Sequence, residues 1–250
     1  MADVDIKQLL EAGAHFGHKS SRWHPKMAPY IHSKRNGTHI IDLTKTVEEL
    51  EKALSFITRT AADGKQVMFV ATKPQAKDSV KLAAESVNMP FVTERWLGGM
   101  LTNRNTMTGR VKHLKDLEEK MANGQLESKY NKLEVQRFQE EIDEMNRIYG
   151  GVKEMHAKLG AIFIVDIIAE DNAVREAKKL GIPIVAIVDT NTDPTKIDYP
   201  VPANDDALKT IKLITDYVVK AVQSGQNKAT KPADKDEQPV KAESAKKGDA

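Results

Sequence analysis

The sequence predicts a doubly wound (flavodoxin-like) α/β domain with a parallel sheet, into which an antiparallel coiled-coil helical hairpin is inserted. Apolar runs that suit strands buried on both faces occur at 67–71, 161–166 and 184–189, and helical patterns separate them. Buried strands that alternate with helices form parallel sheets covered on both sides. Two narrow apolar seams between 105 and 155 predict the inserted hairpin.

The chain before the first of these strands is predicted to form a helix, a hairpin and a second helix. Asp5–Gly13 places its apolar residues on one helical face and ends on glycine. Two β-prone runs within Tyr30–Leu43 flank Asn36-Gly37, and Asn-Gly is the strongest short signal for a hairpin turn. A helix of regular apolar spacing follows over about 44–62.

The rest of the α/β domain continues this alternation. Further helices are predicted at 75–87, 172–180 and 205–223, with a brief strand at 90–92. The α/β domain is therefore expected to comprise residues 1–104 and 156–223, including the N-terminal helix and a basic β-hairpin.

The segment 105–155 is predicted to protrude from this domain as a coiled-coil hairpin. Apolar residues recur about every 3.5 residues in two series, Met107, Val111, Leu114, Leu117 and Met121, then Phe138, Ile142, Met145, Tyr149 and Val152. Such narrow seams favour two antiparallel helices that project into solvent or toward a binding partner. The alternative is a pair of helices packed flat on the domain.

Composition sets the remaining limits. Residues 224–250 contain no aromatic residue, one valine, six lysines and five acids, which predicts a disordered tail. The chain has no cysteine, so disulfides, thiolate metal sites and cysteine nucleophiles are excluded. No apolar run is long enough to span a membrane, and the acidic N-terminus is unlike a secretory signal. We expect a soluble, cytoplasmic protein without a membrane partner.

One stretch carries most of the local positive charge. The chain has a formal charge of only +2, but residues 12–41 contain five Lys and Arg and no Asp or Glu. They also hold five of the seven histidines and one of the two tryptophans. A second run, from Arg95 to Lys115, is also free of acids. Basic residues interleaved with rings indicate a surface for a polyanion, although a solvated basic loop has the same composition.

The main alternative function is a nucleotide- or cofactor-dependent α/β enzyme, because doubly wound sheets bind ligands at the carboxyl ends of their strands. The loop 72–78 after the first strand has none of the glycines that dinucleotide or Walker phosphate sites require. No nucleophile, base and orienting group are arranged for catalysis. The sequence therefore predicts no catalytic residue and no small-molecule substrate. Lys73 in this loop is either a phosphate contact at a helix start or a solvated lysine.

No pattern in the sequence requires a cofactor, but one group of side chains suits a divalent cation. His18, Asp189, Asp193 and Asp205 offer imidazole and carboxylate ligands near the end of a central strand. The simpler alternative is that these aspartates form turns and cap helices, while the histidine bonds to the backbone.

Six segments carry a resemblance to one protein family. They are 12–18 (AGAHFGH), 23–27 (WHPKM), 37–43 (GTHIIDL), 69–73 (FVATK), 95–103 (RWLGGMLTN) and 181–191 (GIPIVAIVDTN). Together they resemble bacterial small-subunit ribosomal protein two, the S-two family, over about residues 5–223.

This resemblance implies a structural role in translation. Members of the family bind 16S ribosomal RNA between the head and body of the small subunit, contact other small-subunit proteins and help to dock the S-one protein. The segment 95–103 matches a motif that would place Arg95, Trp96, Asn103 and Arg104 at the root of the hairpin.

Charge and resemblance together predict an RNA interface anchored on phosphates. RNA-binding proteins contact the backbone through Lys and Arg and stack aromatic rings on unpaired bases. The candidate polar contacts are Lys19, Arg22, Lys26, Lys34, Arg35, Lys73, Arg95, Asn103 and Arg104. Trp23 and Trp96 are the stacking candidates, and a place in the core is the alternative for each.

Overall fold

The computed structural model describes residues 4–155 and 159–229, and it has a mixed α/β fold with two sheets. The helices are α1 Ile6–Ala12, α2 Leu43–Ala62, α3 Lys77–Ser86, α4 Arg104–Ala122, α5 Gln125–Lys129, α6 Lys132–Tyr149, α7 Asp171–Leu180 and α8 Leu208–Ala229. The strands are β1 Phe16–Lys19, β2 Ile31–Arg35, β3 Thr38–Ile41, β4 Gln66–Val70, β5 Phe91–Val92, β6 Leu159–Val165, β7 Ile184–Val188 and β8 Tyr199–Pro202.

The central sheet is parallel, with the strand order β5-β4-β6-β7-β8. Counted along the chain within this sheet, the order is 2-1-3-4-5, which is the flavodoxin-like doubly wound order. The parallel sheet expected from the apolar runs is confirmed. Strand β8 was not predicted because Pro200 and Pro202 interrupt its pattern; an edge strand tolerates them, since one side of it needs no ladder bonds.

Strands β4, β6 and β7 bury side chains on both faces of this sheet. Val67 and Phe69 of β4 belong to a core shared with α2, α3 and α8. Met68 and Val70, which point to the opposite face, join a second core with α7 and Trp96. Two-sided burial explains why the strands read as continuous apolar runs instead of alternating ones.

A smaller antiparallel sheet, in the order β1-β3-β2, precedes the central one. The predicted hairpin turn is present, and Asn36 and Gly37 both have positive φ, at 50° and 77°. Such a turn matches the twist of the flanking strands. Strand β1 was not predicted, because FGHK has no apolar alternation and its pairing with β3 is a contact between distant residues.

Helices α2 and α8 pack closely against each other on one face of the central sheet. Gly225 of α8 allows this approach, because a Cβ atom there would lie 2.4 Å from the Thr58 carbonyl oxygen and 2.6 Å from the Ala61 Cβ. The predicted end of this helix at Gln223 is wrong, since the helix continues to Ala229. The predicted tail thus loses residues 224–229, and residues 230–250 lie outside the described part of the chain.

Between β5 and β6, helices α4 and α6 pack against each other through a small core of their own. Its buried members are Leu114, Leu117, Ile142 and Met145. The link between the two helices contains α5, which buries Leu126. Helix α6 starts with a capping box, in which Asn131 and Glu134 each accept a hydrogen bond from the other's backbone N–H.

Within the described ranges, no helix combines the length and apolar character needed to cross a bilayer.

Candidate nucleic-acid interface

The small antiparallel sheet presents the basic stretch at the protein surface. Lys19 and Arg35 both pair with Thr38, one from each side, so their side chains point to the same face of the sheet. Neighbouring strands lie about 4.8 Å apart, which separates the two backbones by about 10 Å. Lys34 pairs with His39 and therefore points to the other face, beside the hairpin turn.

Four cations of this stretch are exposed and have no carboxylate within 4.0 Å among the residues that the structure describes. They are Lys19, Arg22, Lys34 and Arg35, and we call them the basic face. A cation without a neighbouring acid keeps its full field for an external anion.

Trp23 directly follows Arg22 of the basic face in the sequence. Its side chain is 37% exposed, and its ring centroid lies 5.1 Å from that of His39 at a tilt of 38°. One side of the indole therefore packs against the protein, and the exposed part leaves area for a base to stack.

Lys26, by contrast, is already paired. Its Nζ atom donates to Asp193 Oδ2 at 2.8 Å and to Thr195 Oγ1 at 3.0 Å. The hydrogen bond from Lys26, followed by those from Thr195, holds the pKa of Asp193 well below its usual range. These bonds join the 3-10 helix Pro25–Tyr30 to the 3-10 helix Pro194–Lys196, so Lys26 positions the segment instead of offering a free cation.

The second basic run lies where α4 begins. Arg95, Asn103 and Arg104 are exposed there, and neither arginine has an ion pair in the described chain. Asn103 caps α4, with its Oδ1 atom 3.5 Å from the Thr106 backbone nitrogen. These residues meet the requirement of accessibility for RNA contacts.

Trp96 does not meet this requirement. Its side chain is only 7% exposed and belongs to the core, and its Nε1 atom donates to Glu176 Oε1 at 3.1 Å. The expectation that Trp96 stacks on a base is wrong for this conformation, because no ring face is open to a ligand. The core alternative holds.

Glu176, which was not among the predicted site residues, explains the position of Trp96. Besides the indole, its carboxylate accepts from the backbone nitrogens of Gly99 (2.7 Å), Leu101 (3.0 Å) and Thr102 (3.1 Å), and from Thr102 Oγ1 (3.1 Å). Burial raises the pKa of Glu176, but these donors outweigh it and the net pKa is lowered. No local pattern signals this contact, since the residues are more than 70 positions apart.

Lys73 lies at the carboxyl end of β4, where a doubly wound sheet would bind a ligand. Its Nζ atom contacts Asp205 Oδ1 at 3.0 Å, Asp166 Oδ2 at 3.4 Å and Asp206 Oδ1. Burial lowers the pKa of Lys73, but the three carboxylates outweigh it and the net pKa is raised. The expected phosphate contact is not supported, because three acids already neutralise this amine and would repel a phosphate.

Three of the four residues predicted as possible cation ligands lie together at the same end of the sheet. His18, Asp189 and Asp205 each offer a ligand atom within 4.8 Å of those of the other two, whereas Asp193 is held by Lys26 instead. Interaction with the Asp189 carboxylate raises the pKa of His18, and burial raises that of Asp205 to about 7.

Comparison with known proteins decides the family. The family model described as Ribosomal protein S2 matches residues 9–225. The chain belongs to the ribosomal protein S2 family. It is therefore a structural ribosomal protein and not an enzyme. The match confirms the family that the six segments suggested.

Curated relatives agree with this assignment over most of the chain. Small ribosomal subunit protein uS2 of Coprothermobacter proteolyticus is 49% identical over 226 residues, which are 90% of this chain and 84% of the relative. The protein of the same name from Dehalococcoides mccartyi strain CBDB1 is 49% identical over 227 residues, 91% of this chain and 92% of the relative. That of Fusobacterium nucleatum is 46% identical over 225 residues, 90% and 91% of the two chains.

Membership of the S2 family also settles where the chain works. These bacterial relatives are proteins of the small ribosomal subunit, and this S2-family chain accordingly acts in translation, in the cytoplasm.

Proposed function

We propose that this chain binds 16S ribosomal RNA through the basic face, as a structural constituent of the small subunit between its head and body. One observation carries the proposal: Lys19, Arg22, Lys34 and Arg35 are exposed and have no acidic partner in the described chain. Phosphate oxygens can serve as the anionic partners that these side chains lack. Such oxygens dominate the contacts between proteins and nucleic-acid backbones.

The geometry of the small sheet suits a folded RNA backbone better than a single phosphate. Lys19 and Arg35 flank Thr38 on one face, and Lys34 extends from the other face at the hairpin turn. A strand of RNA, or two neighbouring strands, can be contacted on both sides of the turn. Trp23 adds a partly exposed indole for stacking on an unpaired base.

A second contact area is proposed at the start of α4. Arg95, Asn103 and Arg104 are exposed there, and Arg110 and Lys112 continue the basic run along the helix. Lys26, Lys73 and Trp96 are left out of the proposed contacts, because each is already held by protein groups.

We further propose that residues 105–155 form an antiparallel coiled coil that projects from the α/β body, whose last described helix, α8, ends at Ala229. The separate core of Leu114, Leu117, Ile142 and Met145 supports a pair of helices that is stabilised along its own seam. We propose that this hairpin helps to dock the S-one protein. Leu133, which is 59% exposed near its tip, offers an apolar contact.

Competition for incorporation into small subunits tests the RNA proposal. Subunits that lack this protein are reconstituted with equal amounts of the wild-type chain and of a variant with Lys19, Arg22, Lys34 and Arg35 changed to Gln. Mass spectrometry of the purified subunits measures the ratio. We expect the wild-type chain to predominate, because each lost phosphate contact weakens binding.

The matched control removes the same number of charges elsewhere. Lys81, Lys179, Lys209 and Lys212 are exposed lysines outside both basic runs, and the variant with Gln at all four should compete as well as the wild type. Equal incorporation of the basic-face variant would show that this surface is not the RNA interface.

Retention of the S-one protein tests the hairpin. Leu133→Ser should lower the amount of S-one that sediments with small subunits while leaving incorporation of the chain itself unchanged. Leu82→Ser, at another exposed leucine on α3, is the control. Unchanged retention of S-one in the Leu133 variant would contradict the proposed docking role of the hairpin tip.

A further inference from the structure

The chain contains two Asn-Gly pairs, Asn36-Gly37 and Asn123-Gly124. Asparagine followed by glycine is prone to lose ammonia, because glycine has no side chain to hinder attack of its backbone nitrogen on the side-chain amide. The first pair lies at the tip of the β2–β3 hairpin, and the second lies between α4 and α5. Since the two pairs are chemically the same, the fold decides which of them reacts.

The pair Asn36-Gly37 is open to solvent and is held by few hydrogen bonds. Both residues are exposed, and a Cβ atom added to Gly37 would meet nothing within 4 Å. The Gly37 carbonyl accepts from the Ser20 backbone nitrogen at 2.8 Å, whereas the Gly37 N–H donates to no backbone carbonyl of the described chain. The nitrogen that has to attack the amide is therefore not engaged elsewhere.

The pair Asn123-Gly124, by contrast, is held in the junction of two helices. The Asn123 nitrogen donates to the Glu119 carbonyl at 2.9 Å, and the Gly124 nitrogen donates to the Met121 carbonyl at 3.1 Å. The Gly124 carbonyl in turn accepts from the Ser128 nitrogen at 3.2 Å. These bonds must open before the Gly124 nitrogen can reach the amide of Asn123.

The local charge also favours reaction at the hairpin tip. The attacking glycine nitrogen first loses its proton and carries a negative charge. Lys34 and Arg35 directly precede Asn36, and no Asp or Glu occurs between residues 12 and 41. Neighbouring cations stabilise an anion that forms during a reaction, so they lower the barrier to the attack.

We propose that Asn36 is a site of spontaneous deamidation, which places a carboxylate inside the basic face. The Gly37 nitrogen gives its proton to a water-derived base and forms a bond to the Asn36 Cγ atom. The bond from Cγ to Nδ2 then breaks, and Nδ2 takes up a proton and leaves as ammonia. Water opens the resulting cyclic imide at either carbonyl, which leaves aspartate or isoaspartate at this position. Overall, water is consumed and ammonia is released, with no oxidation or reduction.

The consequence for RNA binding rests on the proposed function of the basic face. A carboxylate at the hairpin tip would attract Lys34 and Arg35 and weaken their field toward phosphates. Isoaspartate also adds a methylene group to the main chain, so the two-residue turn that pairs Arg35 with Thr38 is no longer kept. Both products would lower the affinity of the chain for RNA, so a chain that ages before assembly would enter fewer subunits.

Peptide mapping of the full-length chain tests the proposal. The purified chain is incubated at mildly alkaline pH, and mass spectrometry follows the conversion of Asn36 and Asn123 in the same samples. We expect Asn36 to react about tenfold faster or more, since hydrogen bonds have to open before Asn123 can react. In urea, which removes the fold, the two rates should become similar. Equal native rates, faster reaction at Asn123, or a difference that persists in urea would overturn the proposal.

Asn36→Gly is the matched control, because glycine keeps the positive φ of the turn and has no amide to lose. No carboxylate should appear in its hairpin peptide. Asn36→Asp imitates one product and should incorporate into small subunits less than the wild type, whereas Asn123→Asp should incorporate equally. Equal incorporation of Asn36→Asp would overturn the consequence for RNA binding. The proposed function itself fails only if the variant with Gln at all four positions of the basic face also incorporates equally.

Discussion

At the scale of single residues, Glu176 makes a set of contacts that the sequence does not reveal. One carboxylate receives five hydrogen bonds from the segment that begins at Trp96, and thereby fixes the loop leading into α4. Hydrogen bonds to a charged group are worth more than those between neutral groups, and leaving their donors unpaired is costly. The position of the second basic run therefore depends on a residue that carries the opposite charge.

Replacing this carboxylate should destabilise the body. We expect Glu176→Gln to lower the free energy of unfolding by about 2 kcal/mol, because the amide NH₂ faces donors that it cannot satisfy. Urea denaturation followed by circular dichroism measures the loss. Glu144→Gln, at an exposed position on α6, is the control and should change stability little. Equal stability of the two variants would contradict this role of Glu176.

The same residue predicts a pH dependence. The donors lower the pKa of folded Glu176 below its ordinary value of 4.5, so the unfolded chain binds its proton at higher pH than the folded chain does. Its contribution to stability is therefore complete above 4.5 and is lost as the pH falls toward the folded pKa. Denaturation at a series of pH values should show the gap between the wild type and Glu176→Gln narrowing below 4.5. A gap that is constant through this range would refute the assignment.

At the scale of elements, the contact between α2 and α8 depends on the absence of one side chain. Gly225→Ala would place a Cβ atom 2.4 Å from the Thr58 carbonyl oxygen, so the helices must separate. We expect a loss of about 1–3 kcal/mol in spite of the higher helix propensity of alanine.

Gly109 in α4 provides the opposite control, because a Cβ atom there meets nothing within 4 Å. Gly109→Ala should stabilise the protein by up to about 1 kcal/mol. Thermal unfolding of both variants gives the comparison. A stabilised Gly225→Ala protein would mean that α2 and α8 are not tightly packed.

Prediction from sequence succeeded for elements whose signal is local. The first helix lies between Asp5 and Gly13 as expected, with an Asp5 side-chain cap and a left-handed Gly13, and the Asn36-Gly37 turn has the expected dihedral angles. The buried strands could be predicted because each one is a continuous apolar run. Strand β1 could not be predicted, because its register is set by pairing with β3 and its own residues, FGHK, combine apolar and polar side chains without alternation.

The candidate site was predictable to a lesser degree, for a related reason. Exposure of Arg22, Lys34 and Arg35 follows from a charged, acid-free stretch. The pairing of Lys73 with acids more than 90 residues away could not be predicted from the sequence. Only the topology of the sheet brings these residues together. The local sequence pattern of a lysine after a buried strand is the same whether its side chain faces solvent or a carboxylate.

At the scale of the whole molecule, the basic face should govern how salt affects RNA binding. Each phosphate contact contributes about 0.7–0.9 to the slope of log affinity against log salt concentration. The variant with Gln at Lys19, Arg22, Lys34 and Arg35 should therefore lose about 3 from this slope. Filter binding to small-subunit RNA over a range of KCl concentrations measures it. The control with Gln at Lys81, Lys179, Lys209 and Lys212 should keep the wild-type slope, and equal slopes for both variants would refute the assignment.

The packing of α2 against α8 also has a consequence for synthesis on the ribosome. Helix α2 leaves the exit tunnel early, but the surface that covers it is made of residues 208–229, the last that the structure describes. The core between α2, α8 and the central sheet can therefore form only after nearly the whole chain has been synthesised. Helices α4 and α6 are close in sequence and can pair while translation continues. In a nascent chain arrested before α8, protease should spare the α4–α6 pair and cleave the unfinished sheet.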